Sequence, residues 1–202
     1  MSRSRLFARR ARDGQRGQGM VEFAIIVPVF LLLLMGMLEF GFVFTHNLSL
    51  EYATREGARV ASTLSDGGSS ATAATCTTID QAVINAVTKV LKSPGSPILG
   101  YPNAVAWIKI WQSDSSGNPV AGTINTWNNK MDGSLTFTPP ASPVWTCLSR
   151  SSIPPSDSIG VSLQYTYTMV TPLGAIEKFF GPAGPATLLM TDKTVMSLNP
   201  TN

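Results

Sequence analysis

The side chains able to do chemistry are few, and two of them sit where charge is costly. Between Met20 and Phe44 the chain is apolar except for Glu22 and Glu39. A carboxylate in hydrocarbon costs on the order of 2.5 to 3.5 kcal/mol near a helix centre and less near an end, so such an acid calls for a partner. Glu22 is preceded by Arg16-Gly17-Gln18-Gly19-Met20-Val21. A cation at the same depth on a neighbouring subunit would be such a partner. The plainer alternative is an acid favoured near a helix start by the backbone dipole. Glu39 lies about 25 Å further along a helix axis. It is either a snorkelling carboxylate or a docking partner for a basic group on another helix.

Catalytic and metal chemistry find little support. His46 is the one histidine, with no Ser or Asp spaced to make a triad with it. The acids Asp66, Asp80, Asp114, Asp132, Asp157, Glu177 and Asp192 are scattered and form no spaced pair. Two cysteines and one histidine are too few for a structural zinc site. Neither an enzyme nor a cofactor is expected. Cys76 and Cys147 form a disulfide if their compartment is oxidising, or else are two buried thiols.

The elements that must position these groups begin with the apolar run itself. As a helix, Met20–Phe44 would rise roughly 37 Å, enough for a hydrocarbon core of about 30 Å. Arg3, Arg5, Arg9, Arg10, Arg12 and Arg16 precede it against Asp13, while Glu51, Arg55, Glu56 and Arg59 after it cancel. The positive-inside bias therefore predicts a single-pass protein with a cytoplasmic amino end and an outer carboxyl-terminal domain. A removable secretory signal would have a shorter core and a small-residue site after it, where this chain has Thr45-His46-Asn47-Leu48. The formal charge is +3, but without the six Arg and one Asp of residues 1–17 the remainder is −2. The basic balance belongs to the leader, and no nucleic-acid partner is expected. Pro28 is expected to kink the helix.

The residues around Gly17 resemble a class III signal peptide, in which Gly is followed five positions later by Glu and then an aromatic. Gly17 with Glu22-Phe23 has that form. Glu39-Phe40-Gly41 and the block from Ala53 through Thr54-Arg55-Glu56-Gly57-Ala58-Arg59-Val60 to Ala61 are similar to the hallmarks of TadE-like proteins, minor pseudopilins of tight-adherence, Flp-type pilus systems. The resemblance covers residues 16–62. It implies cleavage between Gly17 and Gln18 by a prepilin peptidase, residence in a bacterial inner membrane with a periplasmic domain, and hetero-oligomeric assembly with pilin-like subunits, with entry into an extracellular pilus as one outcome. The alternative, from another class, is an uncleaved membrane-anchored periplasmic binding or adhesion module.

Steps of four along the same helix give Gly41, Thr45, Ser49, Ala53, Gly57 and Ala61, all small. Such a strip lets another helix approach closely, either a crossing partner helix or the protein's own domain.

The division expected is a basic leader over 1–17, a transmembrane and extended helix over 18–62, a linker over 63–75 containing Asp66-Gly67-Gly68, and an outer domain over 76–202. In that domain Thr78-Ile79-Asp80-Gln81 reads as a capping box opening a helix with Ile79, Val83, Ala86, Val87, Val90 and Leu91 on one face. Ala104–Gln112 reads as a strand turned at Asp114–Pro119 into a partner over Val120–Trp127. Val161, Leu163, Tyr165, Tyr167 and Met169 alternate with polar residues as a half-buried strand does. Ser134–Thr138 and Leu188–Leu198 are weaker strands, and Gly181–Pro185 is a loop. The fold class predicted is α+β: a long amino-terminal helix followed by a pilin-like domain with one helix packed on an antiparallel sheet.

Overall fold

The computed structural model describes residues 7–64, 72–153, 155–172 and 187–198, with side chains from Gly17 onward. The chain divides into two compact units, Met1–Phe42 with Met169–Ala186, and Val43–Thr168 with Thr187–Asn202. Helix α1, Phe7–Leu64, contributes to both and runs unbroken through Pro28. Among the described residues it is the helix long and apolar enough to cross a membrane. In the first unit its apolar side chains face outward: Phe23, Ile25, Phe30 and Met37 are all exposed. A soluble helix would turn such a stripe toward a core, so this surface is consistent with a membrane anchor.

The second unit starts at Val43, so the second part of α1 lies within it. Helix α2, Ala73–Leu91, follows. Most of the expected linker and the Gly181–Pro185 loop lie outside the described residues. The start of α2 corrects the capping-box reading. The cap is Thr72, whose hydroxyl accepts from the Thr75 amide at 3.2 Å, while the Thr78 hydroxyl donates to the Ala74 carbonyl one turn inside the helix. Ala73 and Ala74, both strong helix formers, let the helix begin a turn earlier than the apolar periodicity.

Among the described residues five antiparallel strands form one sheet: β1 Val105–Ser113, β2 Asn125–Asn129, β3 Phe137–Thr138, β4 Ser158–Thr168 and β5 Thr187–Ser197, in the spatial order β3-β2-β1-β4-β5. Ile108 and Ile110 of β1 and Ile159, Val161, Leu163, Tyr165 and Tyr167 of β4 are buried, with Leu50, Ala53, Ala58 and Ala61 of α1 and Val83, Ile84, Val87 and Leu91 of α2 in the same core. Burial of each large apolar side chain contributes about 1.5 to 3 kcal/mol. On the opposite face of the sheet Trp111 lies across Gly160, where an added Cβ would come within 2.4 Å of the ring, and its indole N–H donates to the Ser162 hydroxyl at 3.2 Å. The alternation in β4 ends sooner than the sequence pattern, because Met169 lies beyond the strand and is exposed.

The turn after β1 is closed by the Asp114 carboxylate, which accepts from the Ser116 and Asn118 amides at 2.9 and 2.8 Å. The partner strand then starts at Asn125, not Val120. Val120 to Thr123 forms a second turn, with Gly122 at φ 80° and the Thr123 hydroxyl accepting from the Gln112 amide. Of Ser134–Thr138 only Phe137–Thr138 pairs, whereas β5 is a full strand along β4 from Thr187 to Ser197.

Candidate assembly surface

In the first unit, Gly17 and Gly19 stand open, with nothing within 4 Å of an added Cβ. Glu22 is exposed and accepts a hydrogen bond from the Gln18 side-chain amide at 3.0 Å. The helix thus brings residue 18 and Glu22 within hydrogen-bond reach on one face, as a spacing of four demands.

Glu39 has a different setting. It is buried, and its two oxygens accept from the Val170 and Thr171 amides at 3.1 and 2.9 Å. The sequence pointed to a basic group on another helix or to a snorkelling acid. Its partners include backbone donors of its own chain, contributed by the stretch that follows β4. Nothing in the local sequence of α1 signals them, since they lie 131 and 132 residues away.

The strip of small residues divides. Gly41 and Thr45 are exposed and Ser49 half-buried, but Ala53, Gly57 and Ala61 are buried within the second unit. A Cβ on Gly57 would lie 2.5 Å from Val87 Cγ2 and 3.2 Å from Val161 Cγ1. At Gly57 the missing side chain serves contact with α2 and β4, and Ala53 and Ala61 are buried in the same core, which is the own-domain alternative at these positions. The same stretch of α1 also carries Thr54, fully buried, whose hydroxyl meets the Asp192 carboxylate and, at 3.0 Å, the Thr194 hydroxyl of β5. Arg55 and Arg59 face outward and pair with Glu51 and Glu56 of their own helix. Exposed pairs of this kind contribute a few tenths of a kcal/mol, so they act chiefly as a solvated charged face.

Cys76 and Cys147 are joined in a disulfide, with Cα atoms 5.0 Å apart. Closing a loop of 71 residues contributes about 4 kcal/mol in the chain-entropy account. Four residues after Cys76, Asp80 pairs with Arg150, three residues after Cys147, at 2.8 Å and with both side chains buried. Arg150 also donates to the Trp145 carbonyl at 3.1 Å and stacks over the Trp145 ring. Asn125 fixes the same loop, accepting from the Val144 amide at 2.8 Å and donating to the Trp145 carbonyl at 2.7 Å. The two cross-links share one face of α2. A cavity of about 250 Å³ beside them is lined by Cys76, Asp80, Trp127, Pro139, Pro140 and Pro143, small against the 300 to 1,000 Å³ usual for ligand pockets.

His46 lies past the apolar run, buried among Tyr101, Tyr165 and Tyr167, with ring centroids 6.2, 5.3 and 5.0 Å away. This setting supports a packing role over a catalytic one. Burial lowers its pKa below the ordinary 6.5 and raises that of Tyr165, with Tyr101 adding to the latter. Because the unfolded chain protonates first on acidification, stability is complete above pH 6.5 and falls as pH drops from there toward the lowered native value. Urea unfolding at pH 7.5 and pH 5 should show this loss, and His46→Phe should shrink it. An equal pH dependence in both proteins would refute the assignment.

An exposed apolar helix that carries an acid near its start and continues into a disulfide-locked α+β unit defines a class: a helix-bearing module suited to a membrane anchor. Residues 17–59 match the family model described as TadE-like protein, so a TadE-like domain is present over that stretch. No curated protein and no solved structure matches the chain.

Proposed function

We propose that this protein is a minor pseudopilin that takes part in assembly of a tight-adherence, Flp-type pilus. The observation that carries the reading is the TadE-like domain coinciding with an outward-facing apolar helix on which Glu22 and residue 18 stand within bonding reach. The chain inserts once, with its arginine-rich end in the cytoplasm and the disulfide-locked unit in the periplasm, a compartment in which such a bond persists. A prepilin peptidase trims it after Gly17, and the new Gln18 amine and the Glu22 carboxylate of neighbouring subunits pair as the helices come together. The partners are pilin-like subunits and the pilus assembly machinery.

Two measurements test this. In cells with active peptidase the mature chain should begin at Gln18 by intact mass, and a chain retaining residues 1–17 would argue for an uncleaved tether. Glu22→Ala should abolish or strongly reduce partner incorporation while leaving insertion unchanged. A passive anchor would tolerate it, because removing a carboxylate from hydrocarbon is favourable by a few kcal/mol.

A further inference from the structure

We propose that the segment Met169–Thr171, held on α1 by Glu39, makes a second contact with the lipid surface. The inference rests on reading Met20–Phe44 as the membrane span. Glu39 is 5 % exposed, whereas its neighbours Leu38 and Phe40 are 59 % and 70 % exposed, so the acid is covered where its flanking residues are open. What covers it includes two backbone donors, the Val170 and Thr171 amides, one on each carboxylate oxygen. Two bonds to one side chain fix the depth of the segment at that of Glu39. Phe44, the end of the apolar run, is five residues further on, about 7 to 8 Å along the axis. That places Met169–Thr171 at the boundary between hydrocarbon and headgroups, a zone of several Å on each side of the membrane.

The chemistry suits that depth. The carboxylate accepts from two backbone amides, and the same bonds satisfy both donors in a poorly hydrated place. The outward side chains are apolar: Met169 is 38 % and Val170 56 % exposed, and no charge occurs from Met169 to Pro172. The expected partner is the bilayer itself.

The test uses the full chain reconstituted in phosphatidylcholine vesicles. An environment-sensitive nitrobenzoxadiazole label is placed at Val170→Cys or Phe30→Cys, the native cysteines being bonded to each other. Lipids spin-labelled near the headgroup and aqueous iodide serve as quenchers. The label at position 170 should be quenched by the shallow spin-labelled lipid and shielded from iodide, and Glu39→Gln should reverse both while position 30 stays lipid-quenched. If position 30 is lipid-quenched but position 170 is open to iodide, this inference fails and the membrane span stands. If position 30 itself is open to iodide, the span fails and the inference with it. Unchanged lipid quenching at position 170 in Glu39→Gln would overturn Glu39 as the anchor.

Discussion

Replacing Arg150 with Met is expected to destabilise the second unit by about 3 to 5 kcal/mol, because it breaks a buried ion pair against α2. Arg150 is completely buried and Asp80 nearly so, with 2.8 Å between guanidinium and carboxylate. Taking away the cation leaves a buried carboxylate without its partner, which favours the unfolded chain. The stacking on Trp145 and the bond to its carbonyl are lost in the same step. The double replacement Asp80→Leu with Arg150→Met should recover most of the loss, because an apolar pair carries no desolvation cost. Urea midpoints of the full chain in detergent, followed by tryptophan fluorescence, read both outcomes. A loss below about 1 kcal/mol for Arg150→Met would mean that water reaches the pair. The disulfide beside it would keep the loop attached, so the loss should appear in stability before it appears in connectivity.

Gly57→Leu should also be severe, and for a different reason. The first atom of any side chain there meets Val87 Cγ2 at 2.5 Å and Val161 Cγ1 at 3.2 Å. Both neighbours are β-branched and hold one χ1 rotamer strongly, so neither can swing aside. Helix α1 must lift from α2 and β4 together. Overpacking of this kind costs about 1 to 3 kcal/mol for small additions, and Leu adds three carbons beyond the first. Val87→Ala in the same chain should restore part of the stability, since it removes the closest atom. Protease resistance and urea midpoints report the result, and an unchanged midpoint would refute the contact. Gly41→Leu is the contrasting variant. Nothing lies within 4 Å of its added Cβ, so the second unit should remain stable and any defect in capture of the proposed partners can be assigned to the exposed part of the strip.

These two residues mark what a linear reading can and cannot reach. A step of four picked out Gly57 as a place of close approach, but the identity of the approaching surface depended on where α2 and β4 come in the fold. Glu39 was recognisable as an acid at the end of an apolar run; its amide donors come from a stretch more than a hundred residues on. Arg150 carried no local signal at all. Its pairing with Asp80 follows from the bond between Cys76 and Cys147, which brings residues four and three positions later to one side of α2. Strand β5 was faint for a related reason. Its positions beside the core include Asp192 and Thr194, which break the apolar alternation and are accommodated by Thr54 of α1.

The amino-acid sequence alone determined the long apolar helix, the antiparallel α+β plan, the strand centred on Leu163 and the turn at Asp114, because each is written in local periodicity, charge or side-chain to backbone bonding. The tertiary structure alone decided which polar groups are buried together, which face of α1 belongs to its own domain and which acid is satisfied from within. Those outcomes rest on contacts between residues far apart in sequence, whose energies exist only once the chain has brought them within a few ångströms.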